Sequence, residues 1–362
     1  MDSTPPKSRP FRRWLRLFAV ALGVGYPLAL LIAWLLLRLV GESWWVTIVG
    51  LYAPPVGFLF PAPLVIAVVW AWAPRRILLL QAFSLLFAVF ALMGLHLGSV
   101  GKGSASESSA IRLVSYNIDV GFHGVPAIVA QVQKLNPNLV LLQEAGENLA
   151  AKLTAAFPGW HTDFRGQFFV ASRFPLTSVY EPPPIHYQAG EGGGQRGGDG
   201  GAHFVRYTVD SPLGLVDVFS VHTTSPHEGL DEIRGSGFLH ELRAGHIPLG
   251  HGRGQLNFNA YRRARQVQGL AAAAAASPRP VIIAGDTNLP GLSRIFRENL
   301  DGFEDTFASV GRGFGYTYPS KLPFMRIDRI LTNGKLQAID FRVGDTRASD
   351  HLCVSATITA GR

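Results

Sequence analysis

The sequence predicts two unlike regions, an N-terminal α-helical transmembrane region of three spans and a soluble α/β or α+β domain. Three uncharged apolar runs fill most of the first 101 residues, and from Ile111 onward short β-type runs alternate with helical ones. Charged residues make up 16 % of the chain against about a quarter in typical soluble proteins. The composition excludes a disordered or fibrous protein and disfavours a wholly soluble one.

The uncharged runs extend over Leu17 to Leu37, Ser43 to Pro74 and Ile77 to Gly101. Each exceeds the roughly 20 apolar residues that cross a bilayer core, and three in succession do not fit a cleaved signal peptide. The middle run contains prolines, and we expect it to form one span from about Leu51 to Trp72. The aromatic residues expected near its interfaces are Trp44, Trp45, Tyr52, Trp70 and Trp72.

Basic residues flank these spans unevenly. Seven Lys or Arg precede the first span or lie in the second loop, whereas the first loop and the exit of the third span hold only Arg38 and Lys102. The positive-inside rule therefore predicts an integral protein of the inner or plasma membrane, with a cytoplasmic N-terminus and an extracytoplasmic domain. If the middle run only dipped into the bilayer, the domain would be cytoplasmic, but Arg75 and Arg76 would then lie outside.

The soluble region is expected to start after a Gly- and Ser-rich linker at residues 101–110 and to occupy residues 111–362. The expected helices lie near 125–135, 147–157 and 259–276. The expected strands lie near 111–118, 138–144, 168–172, 176–180, 203–209, 215–222, 280–286, 326–331, 338–343 and 352–358. The single cysteine, Cys353, is expected to be a buried strand thiol.

Two stretches are predicted to be loops. Residues 189–201 contain eight glycines and no P-loop lysine follows them, so a hairpin excursion is favoured over a phosphate-binding loop. Residues 223–256 carry four histidines, at 227, 240, 246 and 251, whose spacing matches no helical pair of metal ligands. A dedicated zinc site is therefore disfavoured, and a loop of this length is typical of a lid or a substrate-contacting element.

Polar residues that can bind a metal or move a proton recur where apolar strands end or begin. They are Asn117, Glu144, His222, Asp286, Asn288, Asp328, Asp350 and His351. Strand ends gather at one edge of a sheet, so these side chains can converge although they are far apart in sequence. Each alone has a structural explanation, such as a solvated strand end for Glu144 or a turn for Asp286 with Asn288. Together they predict an active site.

The motifs around these residues are YN at 116–117, LLQE at 141–144, SRFPL at 172–176, SVHT at 220–223, GDTN at 285–288, RIDRIL at 326–331 and SDH at 349–351. With them the chain from about Ile111 to Ile358 resembles the endonuclease/exonuclease/phosphatase superfamily of deoxyribonuclease-like phosphoesterases. The three-span N-terminal region is similar to that of a membrane-anchored bacterial subgroup. The resemblance implies a four-layer α/β/β/α sandwich and a metal-dependent hydrolase acting on phosphate esters.

The resemblance also implies roles for the site residues. Glu144, with Asn117 and Asp350, would hold Mg²⁺, for which Mn²⁺ could substitute. Asp286 would orient or deprotonate the attacking water, and Asn288 would bind a non-bridging oxygen. His222 would donate to the leaving group or the phosphorane. The remaining roles fall to His351, a second acid/base or phosphate ligand oriented by Asp328 or Asp350, and to Arg173, which would support the site.

Three substrate classes stay open for this activity, namely nucleic acid, phospholipid or sphingomyelin-type head groups, and small phosphate esters. Residues 101–362 carry a net charge of only +2, which disfavours a nuclease, and Arg262, Arg263 and Arg265 are interpreted as a solvated helix face. The tether holds the domain beside its expected partner, the lipid bilayer, which favours lipids. A non-catalytic scaffold is disfavoured because it would be expected to have lost the metal-binding and acid/base residues, and all of them are present. No protein partner can be inferred.

Overall fold

The structure is a computed structural model that describes residues 10–98, 109–191, 197–226, 251–345 and 348–361. Most of the expected linker and most of the histidine-bearing loop, with His227, His240 and His246, lie outside the described residues. So does the centre of the Gly-rich stretch. Within this stretch Gly197–Gly198 pairs antiparallel with His186–Tyr187, which lies just before the stretch, in agreement with a hairpin excursion.

Three stretches of the N-terminal region are long and apolar enough to cross a membrane: Phe11–Ser43, Pro55–Trp72 and Arg75–Leu92. The helices that form this region are α1 (Pro10–Leu35), α2 (Trp45–Leu51), α3 (Ala62–Trp72) and α4 (Arg75–Phe87). Short π- or 3₁₀-helical segments extend them at Leu36–Val40, Gly41–Ser43, Pro55–Leu59 and Ala88–Leu92. We call residues 10–98 the anchor. Its apolarity supports association with a membrane.

The middle apolar run departs from the expected span. Helix α2 ends at Leu51, and the second candidate span starts only at Pro55. Prolines cannot donate the helical hydrogen bond, and they separate α2 from α3. Tyr52 is only 1 % exposed and contacts the domain, so the expectation that it lies at a lipid interface is wrong.

The domain contains two six-stranded sheets. The first has the strand order β13-β14-β1-β2-β4-β3 and the second the order β11-β12-β10-β9-β8-β5. The strands of the first sheet are β1 (Ile111–Asn117), β2 (Leu139–Gln143), β3 (His161–Arg165), β4 (Phe168–Ser172), β13 (Leu336–Val343) and β14 (Val354–Ala360). Those of the second sheet are β5 (Leu176–Tyr180), β8 (Phe204–Ser211), β9 (Gly214–His222), β10 (Val281–Asp286), β11 (Glu304–Asp305) and β12 (Asp328–Thr332). The short strands His186–Tyr187 and Gly197–Gly198 are β6 and β7.

Helices cover the outer faces of both sheets. The domain helices are α5 (Val125–Lys134), α6 (Glu147–Ala156), α7 (His251–Ala275), α8 (Arg294–Leu300) and α9 (Thr306–Val310). Apolar side chains of β1, β2 and β4 meet those of β8 to β10 between the sheets, α5 and α6 pack on the first sheet, and α7 and α8 pack on the second. This layering confirms the four-layer α/β/β/α sandwich.

Most expected elements are found within a few residues of their predicted bounds. No sequence pattern predicts β3, β11, α8 or α9, because these elements are short or weakly apolar. Asp350 and His351 were expected to open the last strand, but β14 begins at Val354 and both residues lie in the preceding loop. Cys353 is buried directly before β14, as expected.

The anchor packs onto the second-sheet side of the domain. Glu42 is 6 % exposed and accepts hydrogen bonds from the side chain of Ser293 and from the backbone N–H groups of Arg294 (2.9 Å) and Ile295 (3.3 Å) at the start of α8. Met325 and other domain residues join an apolar cluster with the spans. These contacts place Glu42 and the neighbouring part of the anchor beside the start of α8, which packs on the second sheet.

Candidate active site

Strand register explains why the predicted residues meet. β10 pairs in parallel with β9 and antiparallel with β12, so that Asp286 lies opposite His222 on one side and opposite Asp328 on the other. Gly285 permits this close pairing, because a Cβ at that position would lie 1.9 Å from the carbonyl oxygen of Val221. The three side chains therefore form a row at one edge of the second sheet.

The first sheet supplies Asn117 and Glu144 at the carboxyl ends of the parallel strands β1 and β2. The Nδ2 group of Asn117 donates to Glu144 Oε1 at 2.9 Å and to Asp286 Oδ2 at 3.2 Å, which links the two sheets. Glu144 has a φ of +53°, in the left-handed region that non-glycine residues rarely adopt. Backbone strain of this kind clusters at functional sites, and here it turns a carboxylate out of the end of a buried strand.

His222 lies between the two carboxylates. Its Nε2 is 3.4 Å from Glu144 Oε1 and 3.8 Å from Asp286 Oδ2. Its Nδ1 is 2.5 Å from Oε1 of Gln167. Both ring nitrogens therefore face oxygen atoms, and Nε2 is the nitrogen that faces the carboxylates of the site.

Asp286 and Asn288 form a tight local structure after β10. The backbone N–H of Asn288 donates to Asp286 Oδ1 at 2.9 Å, and its Nδ2 donates to the carbonyl of Thr223 at 2.9 Å. Asn288 also has a left-handed φ of +49°. Both side chains are buried and held by several partners, so their positions are set before any substrate binds.

His351 pairs with Asp328. Its Nδ1 lies 2.9 Å from Asp328 Oδ2, and its Nε2 lies 3.6 Å from Asp286 Oδ2. Burial alone lowers the pKa of His351, but the carboxylates of Asp328 and Asp286 outweigh burial and raise the pKa to about 10. Of the two orienting partners left open by the sequence, the structure selects Asp328. Arg326 and Arg329, which flank Asp328 in the sequence, both bind Asp305.

These residues line one cavity of about 370 Å³. Its polar lining includes Glu144, His222, Asp286, Asn288, Asp350 and His351. Asn117 and Asp328 lie directly behind them through the hydrogen bonds given above. Eight of the nine predicted site residues are thus brought together.

The ninth, Arg173, is not brought to the site. Its backbone N–H donates to the carbonyl of Asn138, which precedes β2, whereas Glu144 follows the other end of that strand. Five strand residues at about 3.3 Å each separate the two ends. The guanidinium of Arg173 lies over the ring of Trp160, 5.0 Å from its centroid. The prediction that Arg173 supports the site is therefore wrong, because Arg173 follows β4, which runs antiparallel to β2 and ends at the opposite end of the strands from Glu144.

Comparison with protein families identifies the chain. The family model described as "Endonuclease/Exonuclease/phosphatase family" matches residues 114–351, which run from within β1 to His351 and include the six polar lining residues named above. The chain belongs to the endonuclease/exonuclease/phosphatase family. Members of this family are phosphoesterases and nucleases, so the protein is an enzyme that hydrolyses phosphate ester bonds. No curated protein matches the sequence.

Solved structures of the endonuclease/exonuclease/phosphatase fold resemble the chain at low identity. An endonuclease/exonuclease/phosphatase from Beutenbergia cavernae is 17 % identical, with a TM-score of 0.44 over 70 % of this chain and 72 % of that chain. Humanised TDP2 of D. rerio is 15 % identical, with a TM-score of 0.46 over 70 % and 100 %. The 3′ phosphatase NExo from Neisseria, bound to a product DNA hairpin, is 18 % identical, with a TM-score of 0.47 over 68 % and 98 %.

Enzymes of the endonuclease/exonuclease/phosphatase family generally use divalent metals, and the donor set around Glu144 fits a hard cation. Glu144 is partly exposed toward the cavity, and Asp350 is exposed in the same wall. Burial raises the pKa of Asp119, and the carboxylates of Asp350 and Glu144 raise it further, which shows that these three acids lie near one another. Asn117 turns its Nδ2 to Glu144 and its Oδ1 to the backbone of Asp119, so here it orients the carboxylate.

A second cluster, formed by Asp286, Asp328 and His351, also has the composition of a metal site, since its ligand atoms lie within 4.8 Å of one another. A histidine ligand must be neutral, whereas the nearby carboxylates of Asp328 and Asp286 raise the pKa of His351 and favour its protonated form. The cluster therefore also fits acid/base chemistry, with a protonated imidazole oriented by Asp328 and facing Asp286.

Three residues of the site have no signal in the sequence. Gln167, in the turn between β3 and β4, binds His222. Tyr52 of the anchor lines the cavity and donates from its hydroxyl to the carbonyl of Asn288 at 2.7 Å. Arg263 is 1 % exposed and donates to the Tyr52 hydroxyl at 2.7 Å, so the interpretation of the arginine cluster as a solvated face is wrong at this residue. Only long-range contacts identify them.

Proposed function

We propose that the protein is a divalent-metal-dependent phosphoesterase that hydrolyses phosphodiester or phosphomonoester bonds at the outer face of a membrane. One observation carries the proposal. A single cavity beside the anchor brings together an accessible carboxylate for a cation, a fixed aspartate–asparagine pair and two histidines that face carboxylates. These are the groups that phosphoryl transfer to water requires.

The residues of the chain divide the chemistry. Asp286 is held by Asn288 and Asn117 and orients the attacking water or takes its proton. His222 and His351 supply N–H donors that balance negative charge on the phosphoryl oxygens and protonate the leaving oxygen. Glu144 and Asp350 would hold Mg²⁺ or Mn²⁺, with Asn117 orienting Glu144. When bound, the cation polarises a phosphoryl oxygen and offsets developing charge.

Activity of the full chain in nanodiscs tests the proposal. The substrates are bis(p-nitrophenyl) phosphate and p-nitrophenyl phosphate, each with Mg²⁺, with Mn²⁺ and with EDTA. We expect turnover that EDTA abolishes and that Glu144→Gln reduces strongly. The matched control is Glu147→Gln, which changes an exposed glutamate three positions away on α6. Full activity in EDTA, or in Glu144→Gln, would contradict the metal assignment.

The side of the membrane is tested separately. Uneven flanking charge supports an extracytoplasmic domain. A reporter fused after residue 105 distinguishes the two sides, because alkaline phosphatase is active only outside the cytoplasm and a suitable fluorescent protein folds only inside. We expect phosphatase activity without fluorescence. The reverse result would place the active site in the cytoplasm.

A further inference from the structure

A second cavity, of about 420 Å³, lies between the anchor and the domain. All three candidate spans line it near their domain-side ends, with Leu37 from the first, Phe58 from the second and Phe90 from the third. The domain closes the opposite wall, in part with Leu292 and Phe314. Its volume falls within the range of about 300 to 1,000 Å³ of ligand pockets, and most of its walls are apolar.

This anchor cavity adjoins the active site. Phe324 and Met325 line both cavities. Around Tyr52, which faces the active site, the flanking residues Leu51 and Ala53 face the anchor cavity. A molecule with a polar and an apolar end could therefore occupy the two spaces across a shared wall.

The charges of the anchor cavity suit its position at a membrane surface. Of its cationic groups, Arg326 pairs with Asp305 at 2.6 Å and lies over the Phe307 ring. Arg38, at the end of the first span, is exposed and lies over the ring of Trp34; among the described residues it has no carboxylate within ion-pair distance. An arginine at a span end reaches the level of lipid phosphates, so Arg38 complements the head groups of the surrounding bilayer and places this end of the cavity close to them.

Nucleic acid fits these surroundings poorly. Arg262 is held by Asp199 at 2.8 Å, and the buried Arg263 is held by Tyr52, so two of the three arginines at 262, 263 and 265 already have partners. A phosphate backbone needs several free cations along one groove. The anchor cavity beside the site is instead lined mostly by apolar side chains of the candidate spans and of the domain.

We propose that the anchor cavity binds a hydrocarbon chain of an amphipathic phosphate ester, so that the substrate is a membrane lipid whose phosphate lies in the active site. This inference rests on the proposed phosphoesterase function and names its substrate class. The lipid reaches the site from the bilayer between the spans. Its chain lies on the anchor-cavity side of Phe324 and Met325, and its head group lies on their active-site side.

Competition by alkyl phosphates tests the inference without knowledge of the head group. The full chain in nanodiscs hydrolyses bis(p-nitrophenyl) phosphate in the presence of either butyl phosphate or hexadecyl phosphate. We expect hexadecyl phosphate to inhibit at least tenfold more strongly. In Ala91→Phe, which fills the cavity from the third span, this preference should fall at least fivefold while hydrolysis of the soluble ester is unchanged.

The matched control is Ala67→Phe, which adds the same ring to an exposed position of the second span that does not line the cavity. It should keep the preference, which separates cavity binding from simple partition of the long chain into the bilayer. Gly291→Phe fills the same cavity from the domain side, where a Cβ meets open space, and replaces Ala91→Phe if that variant does not fold. A preference that survives both cavity variants would overturn the inference.

Direct binding separates failure of this inference from failure of the proposed function. Native mass spectrometry of the wild type and of Ala91→Phe measures retained hexadecyl phosphate whether or not any ester is hydrolysed. Retention by the wild type that is lost in the cavity variant supports the chain site even if bis(p-nitrophenyl) phosphate proves inert, which would count against the phosphoesterase alone. Equal retention by the two proteins would refute the chain site even in an active enzyme.

Discussion

The two sheets of the domain contribute unlike parts of the site and are supported differently. The first sheet brings Glu144 and Asn117, which lie at the proposed cation position. The second brings His222, Asp286 and Asn288, and the anchor is hydrogen-bonded directly to this side through Tyr52 and Glu42. The metal side therefore depends on strand geometry within the domain, whereas the acid/base side also depends on the anchor. The anchor is a structural part of the active site as well as a tether.

The connection passes through a buried chain of hydrogen bonds. Arg263 donates to Tyr52, whose hydroxyl donates to the carbonyl of Asn288, whose backbone N–H donates to Asp286. Tyr52 and Arg263 are each 1 % exposed, so water cannot replace a lost partner without reorganisation. A change in the anchor can reach the catalytic aspartate in this way.

The largest expected effect comes from removing one carboxylate on each side. Asp286→Asn and Glu144→Gln should each lower kcat/KM on bis(p-nitrophenyl) phosphate by about 10² to 10³ or more, because each removes a group that acts in the transition state. The two should differ when Mg²⁺ is raised, which should partly restore Glu144→Gln but not Asp286→Asn. If the two variants depended on Mg²⁺ in the same way, the assignment of metal binding to the first sheet and of acid/base chemistry to the second would be wrong.

Removing the anchor should have the next largest effect. Residues 109–362 alone would expose the apolar surface around Met325 and leave Asn288 without Tyr52. We expect about 10- to 100-fold lower kcat on the soluble ester, equivalent to about 1.4 to 2.7 kcal/mol, with an unchanged Mg²⁺ requirement. Circular dichroism checks that the domain is folded. A folded domain with full activity would show that the anchor only tethers.

Acid should weaken the second-sheet side through Asp305 of β11. Burial raises the pKa of Asp305, but Arg326 and Arg329 outweigh burial and lower it to about 2. A carboxylate with a lowered pKa stabilises the fold above its unfolded value, near pH 4, and loses that contribution as the pH falls toward 2. We expect about 2 kcal/mol between those limits.

The measurement is the difference in unfolding free energy between the wild type and Asp305→Asn in the same detergent, as a function of pH. The wild type should be more stable at pH 7, and the difference should shrink between pH 4 and pH 2. Asp340→Asn is the control, since Asp340 forms an exposed pair with Arg342 and should change stability little. A difference that does not vary with pH would argue against the ion-pair assignment.

The smallest expected effect is that of Tyr52→Phe. It removes one hydroxyl, which leaves the Asn288 carbonyl without this donor and the Arg263 guanidinium without one acceptor. The loss of these hydrogen bonds should cost about 1 to 2 kcal/mol. We expect a reduction in kcat of about tenfold with little change in KM. Tyr26→Phe is matched, because the Tyr26 hydroxyl also donates to a backbone carbonyl, that of Phe58, but within the anchor. Equal loss in both variants would mean that the effect is general destabilisation.

Much of the fold follows from patterns within short stretches of sequence. The length of an uncharged run predicts a span, and the apolar β-type runs predict strands such as β1, β2 and β10. The polar residues at the strand ends, with their motifs, identify the family. Of the nine site residues that they predict, eight converge in the structure. These inferences succeed because the periodicity of an element and the chemistry at its end are local properties.

The partners of those residues were decided only by the tertiary structure. His351 binds Asp328 and not Asp350. Arg173 lies at the opposite end of the strands from the site, and Tyr52 contacts the site where a lipid interface was expected. Tyr52 and Arg263 are 211 positions apart, and no local pattern relates them. Strand register and the packing of the anchor on the domain bring such groups together, and both depend on the free energy of the whole fold, which no short segment contains.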